Sequence, residues 1–385
     1  MTQAQRSEFL DGLALSRRYA PECRIEIEGK ELDPAVIADV LQVTVTLELD
    51  APASFQINVN NWDTERFAFK YTEGNIFDLG HRANIELGYA DARSSLVRGV
   101  ITSMSPRFPE AGSPTVSITG LDSMVLLRDR KPTGSEQKQW LKKRDSEIAR
   151  DIAKRNNLQC IFDESPLEHE VVVQKNQDDA QFLLERAKKI DFDCFIGVDS
   201  ARRDTLFFVR PRDGRTNDVT RVYQFEWGRN LVSFMPTLTV SRQVSKVTVR
   251  GWDSRNMEPI VATATVADLP KPKKRGKRTR SAPDLVENAL GRKQDVVVDA
   301  NPQSKDEAKQ MAIAMLRQRA YTFITATMSV MGNAELRAGD NVHVTGLGDR
   351  FAGEYHITKA DHTFGAAGYM TQLTVRRLYD AEGSS

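Results

Sequence analysis

A chain of 385 residues with 40% hydrophobic residues, 28% charged residues and a formal net charge of +1 has the make-up of an ordinary soluble globular protein. It is too long for one core, so two to four domains are expected. No run approaches the roughly eighteen apolar residues of a membrane span, and the first twenty residues scatter acids and arginines where a secretory leader needs an apolar stretch.

Residues 1–20 read as an N-terminal arm. From 21 to 130 the pattern has a period of two. In LQVTVTLELD, Val43, Val45, Leu47 and Leu49 alternate with Gln42, Thr44, Thr46 and Glu48, and SFQINVN, ANIELGY and PTVSITG continue the alternation. Strict alternation gives strands with one buried face, and the intervening Gly, Pro and Asn mark turns. Several such strands in about a hundred residues argue for a small barrel or sandwich.

From 131 to 220 the period lengthens. RDSEIARDIAKRNNL places Ile148 and Ile152 on one helix face, and NQDDAQFLLERAKKIDF starts with capping residues before Phe182, Leu183, Ala187 and Ile190. Short apolar runs follow each helix, so this stretch reads as a small α+β domain. The chain's three cysteines give no chemistry: Cys23, Cys160 and Cys194 are far apart, odd in number, and match no zinc spacing. Free thiols of this kind suit a reducing compartment.

From 221 to 380 the strands return in VYQFEW, LVSFMPTLTV, SKVTVRGWD and TFITATMSVMG. A helix beginning at the capping pair Ser304 and Glu307 interrupts them. The stretch 255–300 has no sustained periodicity and is expected to be a mobile insertion. Within it Lys271, Lys273, Lys274, Arg275, Lys277, Arg278 and Arg280 form a run without an acid. Taking these seven from the net +1 leaves −6 on the remainder. A general nucleic-acid binder spreads its basic residues over a face, so this run reads instead as a partner-binding loop.

LRAGDNVHVTGLGDRFAGEYHITKADHTF holds His343, His356 and His362, which raises the question of a metal site. His356 and His362 share a parity on one strand, about 20 Å apart at 3.3 Å per residue, too far to share an ion. Zinc sites also show a tight ligand pair, and none is present. The chain has no HExxH, no GxSxG and no Cys–His signature. No catalytic residue, cofactor or metal is assigned.

The same segment has an earlier partner. FDLGHRANIELGY, LVRGVITSMSPRF and PTVSITG run from Phe77 to Gly120; LRAGDNVHVTG, RFAGEYHITKADHTF and MTQLTVRR run from Leu336 to Arg377. Each shows a turn glycine (Gly80, Gly339), a strand, a second glycine (Gly99, Gly353), a strand closed by Phe (Phe108, Phe364) and a last strand. Order and spacing persist, which argues for an internal duplication.

With these residues in view, the C-terminal segment resembles the closing barrel of the phage late-control protein D and baseplate central hub family. FEWGRNLVSFMPTLTVSRQVSKVTVRGWD is similar to the approach to that barrel, and NQDDAQFLLERAKKIDFDCFIGV to its middle domain. The hub portions of type VI secretion spike proteins carry the same signatures. The resemblance implies a β-rich α+β fold: two tube-like β-barrel domains, at 21–130 and 221–380, separated by a small α+β domain, with short helices. It also implies a homotrimer acting as a symmetry adaptor between a six-fold tail tube, or its initiator, and a three-fold central spike. Tape-measure or baseplate wedge proteins are further expected partners; a membrane is not, and nucleic acid only as passing cargo. The sequence stops at Ser385 without a spike domain, so the spike is expected to be a separate polypeptide. The implied location is a virion baseplate or injection particle assembled in the bacterial cytoplasm. Two alternatives stand beside this reading: a tail-associated cell-wall hydrolase, and a nucleic-acid-binding structural protein acting through Lys271–Arg280.

Overall fold

Alternating apolar residues decide where each strand lies, because successive side chains leave a strand on opposite faces. The computed structural model describes residues 8–11, 20–74, 76–89, 92–128, 139–198, 203–212, 221–241, 243–253, 256–270, 281, 285–286, 294–297 and 302–380. Its first ten strands are β1 (Glu8–Asp11), β2 (Pro21–Ile27), β3 (Lys30–Glu31), β4 (Val40–Glu48), β5 (Ser54–Asn60), β6 (Trp62–Asp63), β7 (Ala68–Phe69), β8 (Arg82–Tyr89), β9 (Ala92–Arg107) and β10 (Thr115–Asp122). The middle of the chain adds β11 (Gln139–Arg144), β12 (Gln159–Phe162), β13 (Glu168–Val173), β14 (Asp193–Val198) and β15 (Asp204–Val209). The remaining strands are β16 (Arg221–Glu226), β17 (Leu231–Leu238), β18 (Lys246–Asp253), β19 (Glu258–Thr265), β20 (Gln294–Val297), β21 (Ile324–Met331), β22 (Asn341–Thr345), β23 (Gly353–Gly365) and β24 (Gly368–Arg377).

Six strands of the first stretch pair in the order β2-β8-β9-β10-β5-β4. Six of the last pair as β16-β22-β23-β24-β21-β17. The chain order is also the same, so the duplication is one of topology. The two sets differ at one join: β2 is antiparallel to β8, whereas β16 is parallel to β22.

Their irregularities also coincide. Thr102 is the extra residue of β9 opposite Thr119 and Gly120, and Thr358 that of β23 opposite Thr374 and Val375. Each hydroxyl donates to the facing carbonyl, Thr102 to Thr119 at 3.3 Å and Thr358 to Thr374 at 3.1 Å. Leu41 and Val232 are matching bulge residues in β4 and β17. Bulges bend a strand and raise its twist, so conserved placement gives both repeats the same curvature.

The repeats are not independent units. The outer part of β23 pairs antiparallel with β4, from Lys359 opposite Glu48 to Gly365 opposite Gln42. The result is a 14-stranded sheet over a continuous core that runs from Ile25 through Val45, Ile57 and Ile118 to Met328, Ile357 and Val375.

The middle stretch has its own core. Helix Asp145–Arg155 buries Ile148 and Ile152, and helix Asp179–Ile190 buries Phe182, Leu183, Ala187 and Ile190. Asp178 caps the second helix by accepting from the Gln181 N–H at 2.7 Å, and Asp191 ends it at φ 57°.

A third core forms between the strand and the helix expected on either side of the irregular stretch 255–300. β19 pairs antiparallel and β20 parallel with β18, and helix Lys305–Ala320 packs on this sheet through Met311, Ala312 and Leu316. The expectation of a mobile stretch over 255–300 is therefore corrected at Glu258–Thr265 and Gln294–Val297, whose strand partner is β18. The alternation there is masked by the small residues of EPIVATAT. The helix starts as expected, with Ser304 Oγ accepting from Glu307 N and the Glu307 carboxylate accepting from Gln303 N. Among the described residues no helix is long and apolar enough to cross a membrane.

Candidate functional site

The histidine-rich strand is structural. His362 is fully buried; its Nε2–H donates to the Leu336 carbonyl at 3.0 Å, while Nδ1 accepts from the hydroxyls of Tyr369 at 2.8 Å and Thr371 at 3.2 Å. Burial, helped by the nearby Arg337, pushes its pKa down to about 3, so the ring is neutral. His356 faces the other way, with Nδ1 2.8 Å from Asn341 Oδ1 and Nε2 3.8 Å from Asp193. Their common parity is broken by the bulge at Thr358, which turns the strand by one residue between them. His343 stands between the buried Val342 and Val344 on the opposite face. Among the described residues no group of three or more His, Cys, Asp and Glu side chains is placed to hold a metal ion.

Sequence reasoning passed over His169. Its ring lies 3.0 Å from Asp145 and 3.8 Å from Glu307, and Arg186 Nε donates to Asp145 at 2.5 Å. Burial works against the Asp145 charge, but His169 and Arg186 hold its carboxyl below the ordinary carboxylate range. The cluster joins the middle core to helix Lys305–Ala320. Its members come from four separate elements, so no local spacing announces it.

A cavity of about 770 Å³ lies between these units, lined by Asp50, Lys188, Asp191, Asp193, Tyr321 and Arg376 among others. Burial, followed by the charge of Asp193, raises Asp50 to about 6. Asp191 accepts from Tyr321 Oη at 2.9 Å and from Arg317 at 3.2 Å, and the Arg376 guanidinium sits 3.7 Å over the Tyr321 ring. These contacts make the cavity a polar joint between the middle unit and the C-terminal repeat.

The four glycines divide by role. Gly80 (φ +85°) and Gly339 (φ +94°) occupy left-handed backbone and make identical bonds: Gly80 N to Ile101 O and Gly339 N to Ile357 O, both 2.9 Å. The match of Ile101 with Ile357 sets Gly99 beside Tyr355 rather than Gly353, so the second glycines are not equivalent. Gly99 lies inside β9, where an added Cβ would come within 2.1 Å of the Leu121 carbonyl oxygen. Gly353 opens β23 at φ +131°. Lys271, Lys273, Lys274, Arg275, Lys277, Arg278 and Arg280 lie outside the described residues.

What remains is edge and surface. The β4–β23 seam covers Ala360 and His362 from one side and Val43, Val45 and Leu47 from the other. Their counterparts have no strand beside them among the described residues. β9 beyond Val100 pairs only with β10, and β17 only with β21. Phe108, the counterpart of Phe364, is 59% exposed, and Met235 is equally so. Phe108 packs edge-on against Phe69 at 5.1 Å, Phe69 against Trp62 at 5.5 Å, and Trp62 against the exposed Phe67 at 6.4 Å. This aromatic hairpin, β6–β7, fills the long β5–β8 connection, whereas the equivalent β21–β22 connection is short. An exposed cluster of large apolar rings marks a contact surface.

The described residues thus form two topologically equal, bulged sheets joined edge to edge, with further open edges. The structure is similar to the 43 kDa tail protein of prophage MuSo2 from Shewanella oneidensis, with TM-score 0.68 and 15% identity over 93% of this chain and 98% of that one. It is similar to the tail protein from Neisseria meningitidis MC58, with TM-score 0.63 and 13% identity over 93% and 97%. It is also similar to an E. coli component of the type VI secretion system that itself resembles bacteriophage T4 tail proteins, with TM-score 0.56 and 13% identity over 94% and 78%. The chain has the fold of phage tail hub and secretion-spike proteins. Residues 19–365 match the family model described as Alg8 N-terminal domain, and the chain belongs to that family. No curated protein matches it.

Proposed function

We propose that this chain is the structural hub of a contractile phage tail or a phage-derived injection device, and that three copies close into a ring with a central channel. The carrying observation is the β4–β23 seam, which joins two topologically equal repeats side by side within one chain. Three such chains present six like repeats to a tail tube or its initiator. They present only three copies of any feature that one repeat lacks, such as the β6–β7 aromatic hairpin, to a three-fold spike. Equivalent contacts require equal numbers of equivalent surfaces, and this arrangement supplies both numbers. A closed ring is the ordinary form of a soluble homo-oligomer, and it leaves no open edge to pair at random.

The role is mechanical: the ring holds the spike, caps or initiates the tube, and leaves a passage for cargo, as a component of a baseplate or injection particle. The basic run Lys271–Arg280 is proposed to meet an acidic partner surface in that particle. Sedimentation of the purified protein, with its spike partner present, tests the stoichiometry. Three chains of 43.3 kDa give about 130 kDa for the hub portion. A hub that stays at one chain, or reaches six, contradicts the proposal.

The hydrolase reading has one observation on its side, the raised carboxyl of Asp50 beside Asp193 in the polar cavity. The surrounding ion pairs, which tie the cavity's walls together, favour a joint over a substrate cleft.

A further inference from the structure

One face of the joined sheet differs in chemistry from the rest of the surface. It spans eight strands in the order β9-β10-β5-β4-β23-β24-β21-β17, taking β9 and β23 beyond their bulges. Alternation turns the opposite face into the core and this one to solvent. One row crosses the seam unbroken: Ser54, Thr46, Asp361, Gln372, Ser329 and Ser233. Its neighbours bond sideways along the sheet, with Gln56 Nε2 donating to Asn58 Oδ1 at 3.2 Å and to Ser117 Oγ at 2.7 Å. Met235, Met331 and Met370 share the face and are uncharged too. Within it the charges are Lys359 and Asp361, an ion pair at 2.9 Å that sums to zero. Glu48, Arg107 and Arg376 stand at the ends of their strands.

The repeats make this pattern twice. The bulges at Leu41 and Val232 align Gln56 with Thr327 and Val45 with Pro236. Those at Thr102 and Thr358 align Ser117 with Gln372, Thr119 with Thr374 and Pro106 with His362. The neutrality is not general to a chain in which 28% of residues are charged: helix Asp179–Ile190 exposes Glu185, Lys188 and Lys189. A face dominated by hydroxyls and amides drives no dry interface, and one without net charge holds no charged ligand. The rest of the chain packs on the far side, where Val36 and Ile37 of helix Pro34–Ala38 and Phe195 of the middle unit rest on the core. In the proposed ring, closure with the hydroxyl face inward keeps these units out of the channel.

We propose that this face is the channel wall and that the wall does not select by charge: short, hydrated and neutral, it passes polyanionic and polypeptide cargo alike. Rings of like charge would select, because their fields add inside a narrow passage. DNA, with about one charge per 1.7 Å of axis, would be held or repelled along its whole length. Hydroxyls instead trade hydrogen bonds with water at little net gain, so a sliding surface meets no deep minimum. Selection of cargo by charge then belongs to another part of the particle.

This inference rests on the ring proposed above, and its test separates the two. Full-length Thr327→Cys and Gln372→Cys variants are labelled with a maleimide gold cluster and imaged as single particles. Lys189→Cys is the control, and the wild-type chain, with Cys194 buried, gives the background. Gold inside the ring is expected for the first two variants and outside it for the third. Gold outside for all three overturns the inference and leaves the ring standing; particles of one chain overturn both. Binding of a short DNA duplex at about 0.15 M salt, where charges more than about 8 Å apart are screened, tests the neutrality. Q56E/T327E is expected to bind as the wild type does, and Q56K/T327K about tenfold more tightly with a steeper salt dependence. The same changes at Ser117 and Gln372, one row along, cover a failure of either variant to fold. Weaker binding by the glutamate pairs, or no gain in the lysine pairs, overturns the neutral wall.

Discussion

At the scale of single residues, environment rather than residue type decides what a histidine does. His362 is buried and neutral because its surroundings offer one acceptor and two hydroxyl donors, the set a neutral imidazole satisfies. Its folded pKa of about 3 lies below the unfolded value near 6.5. The unfolded chain therefore binds a proton that the folded chain refuses between those values. Stability contributed at neutral pH falls as pH drops below 6.5, by about 1.4 kcal/mol per pH unit until pH 3. Denaturant titrations between pH 7 and pH 4.5 should show the wild type losing stability relative to His362→Gln by about this slope. Parallel curves would mean the ring is protonated or exposed. Burial of His362 was not legible in the sequence. Alternation assigns residues to two faces, but in Tyr355–His356–Ile357 both faces are buried, and the Thr358 bulge then reverses the parity. The Asp145–His169–Arg186–Glu307 cluster was equally hidden, since only folding brings its members together.

At the scale of elements, local chemistry was a reliable guide where strands alternate strictly and helices begin with a capping pair. β4, β5, β10 and the helix Lys305–Ala320 all form where the alternation or the Ser304–Glu307 pair indicates. It failed at β19, whose small and polar residues hide a strand held by β18. It also misaligned Gly99 with Gly353, because a glycine needed for close backbone approach looks the same in sequence as one needed for positive φ. The edge prolines carry the functional question at this scale. Replacing both by the residues of the complete seam, Pro106→His and Pro236→Val, adds an N–H donor to each open edge, two for each contact that the proposed ring would make there. With about 1 kcal/mol net for each hydrogen bond, association should tighten by roughly thirtyfold per seam, read from the concentration at which the ring dissociates. Unchanged association, or irregular aggregates in place of rings, would show that the prolines only guard exposed edges.

At the scale of the molecule, the duplication was legible and its consequence was not. Order and spacing of glycines and closing phenylalanines reveal two repeats, but the pairing that joins them connects Thr46 to Asp361, 315 positions away. Register between strands so distant depends on curvature and shape, which no short motif records. That join places the two repeats side by side in one sheet, the arrangement on which the proposed ring rests. Electron-microscopic class averages of the purified hub, viewed down its axis with the spike partner bound, test this most directly. The account predicts a ring of six near-equal sectors around a channel at one end and three-fold features at the other. A ring with true six-fold symmetry throughout, or particles showing no ring, would contradict it.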